Sequence, residues 1–246
     1  MITGGSRGIG LAAAKELARA GSRLVLAARS QKNLESAASE LRSMGQEPEL
    51  VQVELTDSES VRKSAERVLA AGPLDVLINC AGALTQGLLL DRDDDDLIEE
   101  MTLNYFGTMR MTRAVLPTML ERGSGTVVNV SSVLAAVGTP TTANYSASKA
   151  ALEAFSTALR GEVRGQGVRV KVFVAPHTRT ELGNKIEFRG IPSFDVEFVG
   201  RELARSVDSK RSTYCAGTYL RIGRQLANWV PGFMQRKLTA SVAHLL

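Results

Sequence analysis

Short β-branched and aliphatic runs alternate along this chain with longer segments whose apolar positions recur every three or four residues. The short runs predict strands at Arg23–Ala28, Leu50–Val53, Val76–Asn79, Thr126–Val130, Arg169–Val174 and Thr218–Ile222. Helical spacing predicts helices near Gly10–Ala20, Lys32–Met44, Ser58–Ala71, Leu97–Glu121, Ala143–Arg164 and Val199–Ser209. Met1 and Ile2 read as the end of a further strand, an opening consistent with residues missing upstream of Met1; about seven strands result. Such alternation predicts an α/β protein. Parallel strands are joined by right-handed helical crossovers and doubly wound, so that helices cover both faces of the sheet. No internal repeat, low-complexity tract or linker interrupts the pattern. Residues 1–246 therefore read as one domain, with a variable loop near 181–195 and a tail near 224–246.

The first strand runs into Thr3-Gly4-Gly5-Ser6-Arg7-Gly8-Ile9-Gly10, where a helix opens. Glycines let a backbone turn tightly and let a pyrophosphate approach it, and the helix start offers unpaired N–H groups with partial positive charge. Gly4, Ser6, Arg7, Gly8, Ile9 and Gly10 are therefore candidate dinucleotide contacts in a Rossmann-like sheet. The second strand closes on Ala27-Ala28-Arg29. An NAD site places Asp or Glu near this end for the ribose 2′-hydroxyl, whereas Ala28 is neutral and Arg29 cationic. Arg7 and Arg29 together suit a 2′-phosphate, so NADP(H) is expected over NAD(H).

Tyr145 and Lys149 stand four residues apart in TANYSASKAALEAF, on one face of a predicted helix. An ammonium beside a phenol favours the phenolate, so Tyr145 is expected to titrate below its usual ~10 and to act as an acid or base near neutrality. Ser132, closing the apolar run GTVVNVSS, is placed to hydrogen-bond the oxygen that Tyr145 protonates. Tyr-x-x-x-Lys alone is common in helices; the nucleotide loop upstream gives it meaning.

Composition narrows the classes. Hydrophobic residues make up 44%, ordinary for a globular chain. The 30 basic and 26 acidic side chains leave a net charge of +4 without a basic stripe interleaved with aromatics, so no nucleic-acid partner is expected. Cys80 and Cys215 make neither a disulfide framework nor a metal site. MITGGSRGIG lacks the cationic start and apolar middle of a leader, and no apolar run is long enough to span a bilayer. A reducing, cytoplasmic setting is the expectation. The run DRDDDD at 91–96 reads as a solvated helix start, and no metal is expected.

Together these residues resemble the short-chain dehydrogenase/reductase family, in its single-domain branch of roughly 250 residues. The family's Thr-Gly-x-x-x-Gly-x-Gly stands at Thr3–Gly10, and its Asn-Asn-Ala-Gly appears as Asn79-Cys80-Ala81-Gly82. Its helix asparagine matches Asn104, and its serine, thirteen residues before the tyrosine, matches Ser132. The resemblance implies that Tyr145 is the general acid in carbonyl reduction and the base in alcohol oxidation. Lys149 would lower the Tyr145 pKa and hold the nicotinamide ribose, Ser132 would polarise the substrate oxygen, and Asn104 would hold a water relaying protons toward Lys149. Asn79, Ala81 and Gly82 would lie along the cofactor, with Cys80 in a packing role.

Two departures mark this chain. The loop that reads Pro-Gly-x-Val-x-Thr in the family is Ala175-Pro176-His177-Thr178-Arg179-Thr180 here. Aligning the last threonines puts Thr178 at the carboxamide contact and Thr180 on the family threonine, a form similar to the 3-ketosphinganine reductase branch. The tail RQLANWVPGFMQRKL replaces the family's Val-Asp-Gly-Gly ending. With Leu226, Trp229, Val230, Phe233 and Met234 among Arg224, Arg236 and Lys237, it reads as a lid over an apolar substrate, a membrane-surface segment or a packed helix. Pro231-Gly232 interrupts it. The expected activity is NADP(H)-dependent interconversion of a ketone or aldehyde with an alcohol, on a lipid-like 3-oxo compound. The alternative is a non-catalytic cofactor-binding sensor. Relatives pair through the helices matching Leu97–Glu121 and Ala143–Arg164, so a homodimer or homotetramer is expected.

Overall fold

The structure, a computed structural model, describes residues 1–229 and 231–245. Seven strands form one parallel sheet: β1 (Ile2–Thr3), β2 (Val25–Ala28), β3 (Glu49–Gln52), β4 (Val76–Asn79), β5 (Gly125–Ser132), β6 (Val168–Ala175) and β7 (Thr213–Cys215). Their order is β3-β2-β1-β4-β5-β6-β7, the doubly wound arrangement the alternation predicts. The helices are α1 (Gly8–Arg19), α2 (Gln31–Arg42), α3 (Ser58–Ala70), α4 (Asp94–Met101), α5 (Thr108–Glu121), α6 (Ala143–Glu162), α7 (Val196–Asp208), α8 (Thr218–Trp229) and α9 (Pro231–Ser241).

Successive strand residues feed opposite faces. Val127 packs with Met111, Val115 and Leu159 of α5 and α6, and its neighbour Val128 packs with Leu34 and Leu203 of α2 and α7. This two-sided burial explains why the strands read as continuous apolar runs rather than alternating ones. The Ser30 hydroxyl caps α2 through Asn33 N–H, and the Asp57 and Asp195 carboxylates cap α3 and α7 through Glu59 and Glu197 N–H. Helices α1 and α7 approach closely because Gly200 faces Ala12, where a Cβ would lie 2.4 Å from the Ala12 Cβ.

Two expectations change. Thr218–Ile222 reads as a strand in sequence but forms the first turns of α8, and the seventh strand is the shorter Thr213–Cys215, paired with Val172–Val174. Gly217, at φ +93°, turns the chain between them. The β-branched alternation of Thr218–Ile222 gives way because Leu220, Gly223 and Arg224, at i, i+3 and i+4, face one cleft. The predicted helix Leu97–Glu121 begins earlier, at Asp94, and widens into a π-helical turn over Thr102–Gly107. Asp94, Asp95 and Asp96 occupy its first turn. Gly107 sits against Leu55, 3.0 Å from where its Cβ would be.

One feature has no sequence signal. Lys171 of β6 is 3% exposed, and its ammonium donates to the carbonyls of Ser206 at 2.9 Å and Val207 at 2.6 Å, and to that of Ser209. It closes the C-terminus of α7, and burial pushes its pKa down. Lys171→Met leaves those carbonyls without a donor and should cost about 2–3 kcal/mol, measurable by urea unfolding.

Candidate active site

The strand order reverses between β1 and β4, and there a cleft of about 770 Å³ opens at the C-terminal ends of the strands. Its nucleotide end is built from the glycine turn. Gly4 at φ +67° runs against the chain after β4, where a Cβ would lie 2.8 Å from Ala81 Cα, and a Cβ on Gly10 would lie 2.3 Å from the Gly4 carbonyl oxygen. Thr3 Oγ1 accepts from Cys80 N–H at 3.2 Å and ties the two turns together. No side chain caps the first turn of α1. Gly4, Ser6, Arg7, Gly8, Ile9 and Gly10 all line the cleft, as do Ala81, Gly82, Thr178 and Thr180. A turn closed to side chains and a helix start left open to an anion fit a dinucleotide pyrophosphate.

At the far end of β2, Arg29 lies 3.8 Å from Glu54, and Arg7 pairs with Glu181. Both arginines are exposed and both line the cleft, beside Ser30 and Asn33. Exposed pairs of this kind are weak and readily exchange partners.

The chemical end gathers Ser132 from β5 with Tyr145 and Lys149 from α6, all three lining the cleft. Lys149 Nζ donates to the Val130 carbonyl at 3.0 Å and lies 5.8 Å from the centre of the Tyr145 ring. Burial governs both groups. It pushes Tyr145 up to about 12, the Ser132 hydroxyl working against it and Glu100 and Cys80 adding to it. It pushes Lys149 down to about 8, against Cys80 and Glu100. Tyr145 is therefore pushed above its usual value here, not below it: removing the phenol from water outweighs the hydrogen bond with Ser132. Although Cys80 lines the cleft, burial raises its thiol to about 11, which disfavours the thiolate.

The two asparagines sit behind the cleft rather than along it. Asn104, fully buried in the π-helical turn, accepts from Ala83 N–H at 2.9 Å and donates to the Ala83 carbonyl at 2.9 Å and Ser148 Oγ at 3.0 Å. Its amide is thus engaged by protein groups, and a Cβ on Gly82 would fall 3.1 Å from its Oδ1 and 3.4 Å from Lys149 Nζ. Asn79 is buried and its side chain does not line the cleft. Its amide donates to Thr112 Oγ1 at 3.0 Å and Asn129 Oδ1 at 2.9 Å, and Asn129 in turn donates to Ser156 Oγ of α6 at 2.9 Å. This buried chain fixes β4 and β5 to the helix that carries Tyr145.

The family model for short chain dehydrogenase matches residues 1–189. The chain belongs to the short-chain dehydrogenase family. It is 36% identical over 189 residues to dehydrogenase/reductase SDR family member 7B of Danio rerio, covering 74% of this chain and 61% of that protein. It is 34% identical over 185 residues to a fatty acyl-CoA reductase of Acinetobacter baylyi, covering 74% and 63%. The chain thus spans about three-fifths of the length of these relatives. Among solved structures, a gluconate 5-dehydrogenase from Burkholderia cenocepacia in complex with NADP and tartrate matches with TM-score 0.81 at 24% identity, over 90% of this chain and 94% of that one. An actinorhodin polyketide ketoreductase variant with NADPH matches with TM-score 0.82 at 24% identity, over 89% and 95%. Both share the fold of this short-chain dehydrogenase. Among the described residues no three His, Cys, Asp or Glu side chains group as a metal site, and no helix is long and apolar enough to cross a membrane.

Sequence reasoning missed the far wall of the cleft. Val137, Ile186, Phe188, Ile191, Leu220 and Leu238 line it, drawn from the segment after β5, the 181–195 loop, α8 and α9. The variable 181–195 loop and the lid reading of the tail pointed toward it without naming these residues. The side chains of Leu226, Trp229, Val230, Phe233, Met234 and Lys237 lie outside the described residues.

Proposed function

We propose that this chain is an NADP(H)-dependent oxidoreductase that interconverts an alcohol with a ketone or aldehyde, the substrate carrying an apolar, lipid-like chain next to a 3-oxo group. The observation that carries the reading is the convergence of Ser132, Tyr145 and Lys149 on the cleft that the glycine turn opens. Residues 1–246 act as one domain in this reading, in a cytoplasmic setting and as a homodimer or homotetramer. Exposed Leu90, Ile98 and Phe106, on and beside α4, support the pairing.

The glycine turn and α1 would hold the pyrophosphate, Arg7 and Arg29 the 2′-phosphate, Lys149 the nicotinamide ribose, and Thr178 and Thr180 the carboxamide end. A bound NADPH supplies the hydride. Ser132 orients the substrate oxygen by a hydrogen bond, and Tyr145 delivers the proton to that oxygen in reduction or removes it in oxidation. Asn104 would hold a water that relays protons toward Lys149. The apolar wall of Val137, Phe188, Ile191, Leu220 and Leu238 supports an extended chain, worth about 0.8 kcal/mol for each CH₂ it buries. The C-terminal helices therefore serve as part of a lid in this reading.

The sign of the pH dependence follows from the two pKa values. Tyr145, pushed up to about 12, keeps its proton at neutral pH and is ready as an acid. Lys149, pushed down to about 8, loses its charge as pH rises through that value and with it the help it gives a nascent phenolate. Reduction should therefore be fastest below about pH 8 and decline above it, read from NADPH absorbance across a ketone panel.

Tyr145→Phe should lower turnover by roughly 10²–10⁴-fold and leave NADPH binding, measured by fluorescence titration, within about twofold. Turnover at more than half the native rate would assign the proton to another group. Native protein that binds NADPH but oxidises it with no ketone of the panel would favour the sensor reading.

Arg29→Asp should weaken NADPH binding by roughly 10–150-fold and improve the relative kcat/KM with NADH, because a carboxylate repels the 2′-phosphate and accepts from the 2′-hydroxyl. An unchanged ratio of the two efficiencies removes Arg29 from cofactor choice.

A further inference from the structure

Glu100 is the one residue that α4 buries, at 3% exposure, on a helix whose other residues are exposed or half-buried. Its two oxygens make different contacts. Oε2 accepts from Thr85 N–H at 2.8 Å, in the segment after β4, and Oε1 accepts from Asn144 Nδ2 at 2.9 Å. The Asn144 amide also donates to the Leu97 carbonyl at 2.9 Å. Asn144 immediately precedes Tyr145 in the first turn of α6. Arg92, its side chain 7% exposed, lies 3.9 Å from Oε2 and donates to the Thr85 carbonyl at 2.8 Å. An apolar side chain would fill such a position without the desolvation a carboxylate suffers, so packing alone does not account for Glu100.

We infer that Glu100 is a positioning residue for Tyr145: its buried carboxylate ties α4 and the segment after β4 to the first turn of α6, and sets a fixed negative charge behind Tyr145 and Lys149. This rests on the proposed reading of Tyr145 as the proton donor. The charge acts on both members of the pair, holding the proton on Tyr145 and the ammonium on Lys149 more firmly. Three other titratable or charged groups bear on the cluster. Cys80 at the end of β4 raises both Tyr145 and Lys149, Arg92 ahead of α4 opposes Glu100, and Lys149 itself stands on α6. Of these groups Glu100 alone is also tied to the first turn of α6, through Asn144.

The test is the pH profile of NADPH-dependent reduction of one ketone that the native protein turns over. Glu100→Gln keeps the size and removes the charge, and should move the alkaline limb of kcat/KM to lower pH by about half a unit or more. Glu100→Asp keeps the charge with a shorter reach, and Asn144→Ala keeps the charge and breaks the tie. Each should lower kcat several-fold with the limb in its native place. A limb unmoved in Glu100→Gln, or native kcat in Asn144→Ala, would overturn the inference. So would a lower melting temperature in all three variants with rates and profiles otherwise native. Should Glu100→Gln fail to fold, the kcat values of the Asp and Asn144→Ala variants decide. Tyr145→Phe run alongside separates the two layers: high turnover there defeats the reading of Tyr145 itself, whereas an inactive Phe variant with an unshifted Glu100→Gln profile defeats only the role of Glu100.

Discussion

Backbone contact between the turn after β1 and the turn after β4 governs the geometry of everything around it. Gly4 and Ala81 meet with no room for a side chain between them, and Thr3 Oγ1 locks the approach by taking the Cys80 N–H. From that contact the start of α1 is aimed into the cleft on one side. On the other, Gly82 is held beside Asn104 and Lys149. A side chain at Gly4 would push the two turns apart and separate the glycine turn from the helix that carries Tyr145 and Lys149, and one at Gly10 would break the glycine turn itself. Fold and site share this one constraint, since the order of strands brings β1 and β4 side by side.

The Tyr145–Lys149 pair is set by burial more than by its own mutual charge. Helical spacing puts Lys149 under Tyr145, yet desolvation moves the phenol up and the ammonium down. Protein groups then fix where each points. The Val130 carbonyl holds Lys149, while the chain from Asn79 through Asn129 to Ser156 fastens α6 to the sheet. The π-helical turn at Thr102–Gly107 serves the same end, because it brings Asn104 inward to clamp Ala83 and Ser148. Most of these polar groups are buried and paired, the arrangement that makes such networks rigid, while Asn79 Oδ1 is buried without a partner.

The family match ends at residue 189, and the chain beyond it adds Ile191, Leu220 and Leu238 to the far wall of the cleft. Glu187 N–H donates to Gln86 Oε1 at 2.8 Å and Arg189 N–H to the Ser241 carbonyl at 2.9 Å, so the 181–195 loop is strapped between the segment after β4 and α9. Arg224 of α8 pairs bidentately with Glu153 of α6, and Ser131 Oγ donates to the same carboxylate at 2.7 Å. Shared machinery and particular pocket thus meet at α6, where a change in the tail is felt one and two turns from Lys149 and Tyr145.

What the sequence determined by itself was whatever is local or periodic. The glycine turn is legible because φ above zero and close backbone approach demand glycine at Gly4 and Gly8. The sheet is legible because strands buried on both faces must be apolar throughout, and Tyr145 and Lys149 because four residues make one helical turn. What depends on distant segments was not legible. Thr218–Ile222 has the composition of a strand and becomes helix because Gly217 turns the chain toward the cleft. The burial of Glu100 and Lys171, the inward placement of Asn79 and the pKa of Tyr145 all depend on which elements close over them. The physical reason is common to all four: desolvation and hydrogen-bond partnership belong to the packed neighbours of a side chain, and those neighbours come from parts of the chain dozens of residues away.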